Sequence, residues 1–436
     1  MNRRDLFVRT VGTSSTAVIS DVDAAENTGM LAGVSLTELR DRFRSYLFER
    51  YLPFLDEFVI DRDHGGFLCT TRQDGTVVNA AKRAVYEGRG IWIFSFLYGN
   101  LEPDNRYLDI AKRSAGILMA NRPSGDEFWP SSFSQEKFPA SPPGRDISSD
   151  MYIAEGFAEL TAVTGDDMYR IVADETVLKC LRRYADPEYG ISWGRGYLGG
   201  ETPDTPGTRA VDGELLLLRY GTSQLRRTDM PLYRSLAQEY TDHLVDDFYT
   251  KDADLSIELL DNNYKPWKPS CSRICNIGNS LQALWHVMDE AVRRRDSVLF
   301  DTAAVRFKRC IDVARDDVYG GLFNVLTDYD ANTWRLGKVL YTHTETLVGL
   351  LMIIEHRGYQ WAREYFSELL AYVEATFDLA PQGYRLWNFA GDRFGAFNFQ
   401  SSTRIENFHF PRFLMLMITG LDRMIERNGR LSGAVR

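Results

Sequence analysis

The chain has 436 residues, enough for one large barrel or for several domains of common size. Hydrophobic residues make up 44% and charged residues 26%, an ordinary globular balance that excludes a disordered or low-complexity protein. The 51 Lys and Arg against 61 Asp and Glu give a net charge of -10, which argues against nucleic acid as a partner. No apolar run reaches about 18 residues, so the sequence predicts no membrane-spanning helix.

The N-terminus contains an arginine pair, Arg3 and Arg4, that is typical of a twin-arginine export signal. The apolar stretch after it is interrupted by Arg9, Gly12 and several hydroxyl residues, so it is a weak signal core. Two interpretations stay open: a degenerate export signal of a periplasmic protein, or a disordered tail of a cytoplasmic one. We assign residues 1–30 to this tail, residues 31–428 to one domain and residues 429–436 to a C-terminal tail.

Apolar residues recur at helical spacing from Ser35 onward, with Ser35 as the predicted N-cap of the first helix. The same periodicity predicts about twelve helices in all. They cover residues 35–54, 89–98, 107–120, 151–163, 166–183, 213–220, 231–249, 276–293, 297–314, 344–356, 360–377 and 410–427.

The connections between these helices repeat. Residues 63–67 (DHGGF) are matched by residues 317–321 (DVYGG), and about 17 residues later each copy has a Lys followed by a Tyr. Repeated loop-and-helix units are typical of a closed ring of helical hairpins, because no single hairpin can bury its own apolar face. The sequence therefore predicts an all-α fold, an (α/α)6 barrel with short β-hairpins in its connecting loops.

Polar residues collect where the inner helices of such a ring would begin. Capping or pairing at the rim is the simpler interpretation of any single one, but an arginine at a helix start is unfavourable toward the helix dipole. Since helix starts in a ring converge on one cavity, we expect this set to surround a binding site. The set is Arg89, Arg209, Asn279, Gln282, His343, Glu345, His409 and Arg412.

Two of the six histidines are candidates for chemistry. His343 and His409 each stand in a polar cluster with a carboxylate or guanidinium nearby, which an acid or base working near neutral pH requires. His286 lies on the face of Asn279 but about two turns deeper, and we expect it to be a buried core group.

The five cysteines are odd in number and scattered, which predicts reduced thiols rather than a disulfide framework. Cys271 and Cys275 are not followed by a second pair of ligands, so we expect no metal. The aromatic content of 13% suits a sugar-binding cleft. Trp193 and Trp387 are the expected stacking platforms, with packing in loops as the alternative.

Four strings in the chain resemble the N-acylglucosamine 2-epimerase and cellobiose 2-epimerase family. They are KRAVYEGRGIWIFS at residues 82–95, TETL at 344–347, FHFPR at 408–412 and GNSLQALW at 278–285, the last similar to the family's Gly-His-x-Leu-Glu-x-Leu-Trp helix start. The resemblance implies six inner and six outer helices and an enzyme without redox cofactor that acts on C2 of free sugars or of disaccharide reducing ends. We expect a small carbohydrate substrate, no nucleic acid or membrane partner, and a monomer or homodimer.

The resemblance also implies roles for individual residues. His409 would be the acid–base group, Glu345 would assist ring opening or orient it, and Arg89 would steady the oxyanion. Arg412 would hold sugar hydroxyls or polarise His409. The predicted substrate contacts are Arg412, Asn279, Gln282, Glu87, Tyr86, Trp387, Trp193 and Arg209.

The sequence departs from the family at Asn279 and Gln282, which stand in place of a histidine and a glutamate. An amide cannot accept a proton at neutral pH, so epimerisation by the usual pair of bases is in doubt. Either His343 serves as the second base, or one histidine serves both carbons on one face, as aldose–ketose isomerisation allows. Two further alternatives are a non-catalytic sugar-binding protein and a glycoside hydrolase or lyase that uses two carboxylates. The candidate carboxylates are Glu345, Glu87, Asp150, Glu258 and Glu406.

Overall fold

The computed structural model describes residues 29–136, 138–144, 146–191, 205–268, 271–395 and 403–435. The predicted export signal or tail, residues 1–30, therefore lies outside the described residues except for its last two positions. Trp193 also lies outside them. The domain boundaries remain predictions.

Helices account for most of the described chain. The first, α1 (Leu36–Ser45), continues through a π-helical stretch (Tyr46–Tyr51) into α2 (Leu52–Phe58), and the Ser35 hydroxyl accepts the N–H of Glu38 as its cap. The others are α3 (Ala84–Asn100), α4 (Asn105–Ala120), α5 (Ser148–Thr164), α6 (Asp167–Tyr184), α7 (Val211–Leu225), α8 (Pro231–Asp242), α9 (Ile277–Arg294), α10 (Ser297–Ala314), α11 (Leu340–Arg357), α12 (Gln360–Phe377) and α13 (His409–Glu426). A π-helical turn (His243–Asp247) extends α8, and Ala380–Gln382 forms a 3₁₀ turn.

These helices form a closed double ring. The odd-numbered helices from α3 to α13 contact one another in chain order, and α13 packs against α3 to close the inner ring. Each of α4, α6, α8, α10 and α12 packs outside the inner helix that precedes it, and α1 covers α13 as the sixth outer helix. The predicted (α/α)6 barrel is confirmed.

Three of the inner helices begin clearly earlier than the periodicity predicted. Helices α3, α5 and α11 start at Ala84, Ser148 and Leu340, three to five residues before the predicted starts. Their first turns contain buried polar residues, and a hydrophobicity pattern therefore assigns these residues to the preceding loop. An inner helix is covered on every side, as the unbroken burial from Asp150 to Leu160 shows, so its sequence lacks a polar face.

Helices α3 and α5 touch through glycines. A Cβ on Gly88 would lie 2.6 Å from the backbone nitrogen of Ile153, and one on Gly156 would lie 2.5 Å from the carbonyl oxygen of Gly88. The two backbones are thus in direct contact, which only glycine permits. This contact places Arg89 of α3 next to Tyr152 of α5.

Short antiparallel strands join the connections at one end of the barrel. Strands β5, β9, β13 and β16 lead into α3, α7, α9 and α11, and they pair with strands of the next connection, β6, β12, β14 and β17. The strands are β1 (Met30–Leu31), β2 (Val34–Ser35), β3 (Thr70–Thr71), β4 (Val77–Asn79), β5 (Lys82–Arg83), β6 (Ser132–Phe133), β7 (Gly190–Ile191), β8 (Thr205–Pro206), β9 (Thr208–Ala210), β10 (Tyr249–Thr250), β11 (Leu255–Ser256), β12 (Leu259–Asp261), β13 (Cys275–Asn276), β14 (Val325–Asp328), β15 (Thr333–Arg335), β16 (Lys338–Val339) and β17 (Ala390–Gly391).

The C-terminal segment packs on the opposite end of the barrel. The N–H of Ser432 donates to the carbonyl oxygen of Glu355 at 2.9 Å, and Val435 is fully buried. Residues 429–435 therefore cover the C-terminal end of α11. Among the described helices, none has the length and apolar character that crossing a membrane requires.

Candidate active site

A cavity of about 350 Å³ opens where the inner helices begin. This volume lies in the range of small-molecule sites. All six inner helices contribute polar side chains to the wall, and three of these, Arg89, Gln282 and His409, belong to the predicted set. The six are Arg89, Ser148, Asp212, Gln282, Thr344 and His409.

His409, the first residue of α13, is held by a buried chain of polar groups. Its Nδ1 lies 2.9 Å from Oε1 of Glu345, and the same oxygen accepts a hydrogen bond from the guanidinium of Arg412. The other oxygen of Glu345 accepts the indole N–H of Trp285 at 2.8 Å. Glu345 and Arg412 do not line the cavity, so both lie behind the histidine and fix its ring from there.

The charges of this chain set the tautomer of His409. Burial favours the neutral carboxyl of Glu345, but Arg412, His409 and Trp285 outweigh it and hold the pKa of Glu345 at about 2. Burial lowers the pKa of His409 below its ordinary value of 6.5, although Glu345 and Glu406 oppose the shift. At neutral pH an ionised Glu345 therefore accepts Nδ1–H from a neutral imidazole, and the lone pair of that imidazole lies on Nε2.

Asn279, in the first turn of α9, is bonded to its own buried carboxylate. The Nδ2 of Asn279 donates to Oε1 of Glu258 at 3.0 Å. The Tyr341 hydroxyl lies 3.4 Å from Oδ1 of Asn279, and the Tyr341 ring lies 5.3 Å from the ring of His409. Tyr341 therefore lies between Asn279 and His409. Burial, and then the charge of Glu258, raise the pKa of Tyr341, so the phenol keeps its proton.

His343 does not face the cavity, which corrects its assignment as a catalytic base. It is fully buried, its Nε2 accepts the N–H of Leu322 at 3.0 Å, and its Nδ1 donates to the carbonyl oxygen of Val339 at 2.8 Å. Both nitrogens are thus used: Nε2 holds the preceding glycine turn, and Nδ1 bonds to the backbone at the start of α11. Burial lowers the pKa of His343 to about 4, which keeps it neutral.

Glu87 has the same structural role in the other copy of the repeat. It is fully buried, one oxygen accepts the N–H of Phe67 at 3.0 Å, and the other accepts the hydroxyl of Ser114. Asp150 likewise accepts the N–H of Trp129, at 3.2 Å, 21 positions earlier. The repeat therefore marks an anchor between each turn and its inner helix, and the prediction that Glu87 contacts substrate is corrected.

Three further predicted contacts lie outside the described cavity wall. Tyr86 is buried and its carbonyl oxygen accepts the side chain of Asn407 at 3.0 Å. Trp387 packs against the ring of Phe410, with centroids 4.9 Å apart, and Arg209 lies over the ring of Tyr184 at 4.6 Å. Trp387 therefore packs behind a wall residue, Phe410, and Tyr86 and Arg209 have partners away from the described wall.

The sequence analysis missed several wall residues, among them Tyr152, Asp212, Asn276 and Tyr341. A signal for one of them existed: Asn276 is the N-cap of α9, three residues before Asn279, which was already a predicted site residue. All five cysteines are free and buried. Among the residues that the structure describes, no group of three or more His, Cys, Asp or Glu side chains is arranged to hold a metal ion.

Replacing Glu87 with Gln is expected to change the pH dependence of folding stability. Burial raises the pKa of Glu87 to about 7 from 4.5, so the folded protein holds this proton more tightly and its stability falls as pH rises between these values. Relative to wild type, Glu87→Gln should gain up to about 3 kcal/mol of unfolding free energy between pH 4.5 and 8. Denaturant unfolding between pH 4.5 and 8 measures this difference in unfolding free energy, and Glu364→Gln, at an exposed glutamate, is the control. A constant difference between wild type and Glu87→Gln would contradict the assignment.

The fold and this site define a class: (α/α)6-barrel proteins with a carboxylate-bound histidine on the wall of the central cavity. The chain is 24% identical over 396 residues to the N-acylglucosamine 2-epimerase of Rattus norvegicus, across 87% of this chain and 91% of the relative. The predicted resemblance to these epimerases is thereby confirmed. No protein-family profile matches the chain.

Solved structures of sugar epimerases share the fold. A sugar epimerase from a ruminal bacterium aligns at a TM-score of 0.75 and 17% identity, covering 87% of this chain and 98% of that one. The cellobiose 2-epimerase of Bacillus thermoamylovorans aligns at 0.74 and 15%, covering 88% and 99%. A D-mannose isomerase aligns at 0.69 and 12%, covering 89% and 97%, whereas a glycoside hydrolase family 76 mannosidase reaches 0.58 and 15%, covering 90% and 100%.

Proposed function

We propose that the protein is a carbohydrate epimerase or isomerase in which His409 moves a proton at C2, or between C2 and C1, of a ring-opened mono- or disaccharide. The predicted class, a carbohydrate epimerase or isomerase, is confirmed by the relatives described above. The observation that carries the proposed role of His409 is its orientation. Glu345 holds Nδ1, His409 lines the cavity, and no hydrogen bond from a described residue reaches Nε2.

The chemistry follows from this orientation. The hydrogen on C2 of an open-chain aldose is acidified by the neighbouring carbonyl. Nε2 of His409 takes this proton, the C2–H electron pair forms the enediolate, and the resulting imidazolium is stabilised by ionised Glu345. Arg89 lines the same cavity and offers a cation to the enediolate oxygen. The imidazolium then returns the proton to carbon, which completes the cycle without a net change in the enzyme.

In the enediolate a proton passes from O2 to O1, and return of the carbon proton to C1 on the same face then gives a ketose, so His409 suffices as the base at carbon. Inversion at C2 requires a donor on the other face, where the family's second histidine is replaced by Asn279. His343 cannot serve, because its nitrogens hold the Leu322 turn and a backbone carbonyl. We therefore propose aldose–ketose isomerisation as the principal reaction.

The five carboxylates predicted for the hydrolase alternative do not supply its catalytic pair. Of the five candidate carboxylates, Glu345 lies behind His409, Glu87 anchors a turn, Asp150 pairs with Lys179 and Glu258 holds Asn279. Only Glu406 among them lines the described cavity wall. Hydrolysis requires two carboxyl groups across a glycosidic bond, so this set does not supply the pair.

Incubation with aldoses in deuterated water tests the proposal. D-mannose, D-glucose and cellobiose are incubated with the enzyme, and products are followed by proton and carbon NMR. We expect a ketose that carries deuterium at C1. A C2 epimer with deuterium at C2 and no ketose would contradict the one-histidine route, and release of glucose from cellobiose without exchange would favour hydrolysis. No exchange with any sugar would favour the non-catalytic alternative.

Asn279→His is expected to add C2 epimerisation. Glu258 already stands 3.0 Å from the Asn279 side chain and is fully buried, so it can accept an imidazole N–H as Glu345 does for His409. We expect at least a tenfold rise in the ratio of C2 epimer to ketose, measured by NMR. Asn279→Gln, which adds length without a titratable group, is the control. An unchanged ratio in a folded Asn279→His variant would contradict this prediction.

A further inference from the structure

One carboxylate oxygen of a cavity-wall residue, Glu406, receives no hydrogen bond within the described part of the chain. Oε2 of Glu406 accepts the backbone N–H groups of Phe408 at 2.9 Å and Phe410 at 3.0 Å. The other oxygen, Oε1, is buried and receives no hydrogen bond from any residue that the structure describes. Leaving a buried charged oxygen unsatisfied costs free energy. This atom therefore marks a position for a donor that arrives with a ligand.

The guanidinium of Arg89 stands across a short gap from this oxygen. Its Nη1 lies 4.0 Å from Oε1 of Glu406, which is too far for a direct hydrogen bond. Its Nε is buried without an acceptor in the described ranges. Arg89 is only 4% exposed and lies over the ring of Tyr152, 4.1 Å from its centroid. Packing of α3 on α5 thus holds the guanidinium at the gap.

We propose that Glu406 and Arg89 form a clamp for one hydroxyl group of the substrate. The hydroxyl donates its hydrogen to Oε1 of Glu406 and accepts a hydrogen bond from Nη1 of Arg89. An oxygen atom at about 2.8 Å from each of two atoms that are 4.0 Å apart satisfies both contacts. This inference rests on the proposed function, since it takes the ligand to be a sugar, and it adds the group by which that sugar is selected.

The charges of the clamp define the substrate class. His409, Arg89 and Arg404 outweigh the effect of burial and lower the pKa of Glu406, so its carboxylate is ionised. Arg404 Nη2 also lies 4.0 Å from Oε1, so the gap has charges of both signs. An ionised phosphate or carboxylate has no hydrogen to donate to Glu406, and an ammonium group has no lone pair to accept a hydrogen bond from Arg89. A neutral hydroxyl is both donor and acceptor and matches the two sides. The clamp therefore selects a sugar whose hydroxyl at this position is free and unphosphorylated.

Binding of unreactive sugar alcohols tests the clamp apart from catalysis. D-glucitol and its monodeoxy derivatives have no carbonyl, and calorimetry measures their affinity for wild type and for Glu406→Gln. The glutamine keeps an oxygen for the N–H groups of Phe408 and Phe410, so the fold is expected to persist. Glu87→Gln is the matched control, because it makes the same change at a buried glutamate outside the cavity.

In wild type, we expect the loss of one particular hydroxyl to weaken binding about 10- to 100-fold, as for a hydrogen bond to a charged group. In Glu406→Gln, loss of the same hydroxyl should weaken binding less than about fivefold, whereas in Glu87→Gln it should weaken binding as much as in wild type. Equal penalties in wild type and Glu406→Gln, the absence of any hydroxyl with a large penalty, or no binding of D-glucitol would overturn the clamp. If the enzyme exchanges deuterium into sugars but the binding data show no clamp, only this inference is refuted. If the binding data show the clamp but no sugar exchanges deuterium, only the proposed function is refuted.

Discussion

His409→Asn is expected to lower kcat by about 10²- to 10⁴-fold, the contribution typical of a general acid–base group. The amide occupies similar volume and can still bond to Glu345, but it cannot take a proton from C2. Turnover of the aldose that wild type converts best measures the loss, and deuterium exchange at C2 should disappear with it. We expect little change in melting temperature, because Glu345 keeps Arg412 and Trp285 as partners.

His64→Asn is the control for this prediction, because His64 is 40% exposed in a turn. It should retain wild-type turnover. The pH profile gives a second measurement: burial lowers the pKa of His409, so wild-type kcat/KM should rise with pH through a value below 6.5 and then stay level. Retention of most activity in His409→Asn would refute the assigned role.

Glu345→Gln is expected to lower both activity and stability. The amide no longer stabilises the imidazolium, which should cost about 10²-fold or more in kcat and move the acid limb of the pH profile to lower pH. It also leaves the buried guanidinium of Arg412 without its carboxylate, and loss of one partner of a buried ion pair costs about 3–5 kcal/mol. Steady-state kinetics and denaturant unfolding measure the two effects.

A double variant separates the two effects of this substitution. Arg412→Met in the Glu345→Gln background removes the unpaired charge, so unfolding free energy should recover while activity does not. A merely structural role for Glu345 predicts recovery of both. If Glu345→Gln alone keeps kcat within about threefold of wild type and an unshifted pH profile, the carboxylate does not act through His409.

The repeat of glycine turns shows how far the sequence could be interpreted. It correctly predicted a ring of hairpins, because helical periodicity and recurring turns are local properties of the chain. The sequence analysis misplaced two residues: Glu87, a substrate contact implied by the resemblance, and His343, chosen because it stands in a polar cluster. Both accept a backbone N–H from the turn before their helix, at Phe67 and Leu322. Their matching positions in the repeat are therefore explained by this structural role, which fixes the turn to the helix that follows it.

The sequence by itself determined the helical ring, the resemblance to sugar epimerases and the presence of an unusual amide at Asn279. Only the tertiary structure decided which polar residues at the helix starts face the cavity. Tyr341 and Thr344 line it, while Glu345, the next residue, lies behind His409. Successive residues of a helix point about 100° apart, and an inner helix buried on every side has no polar face that would reveal its rotation. That rotation is fixed by packing against neighbouring helices, as where α3 meets α5 at Gly88.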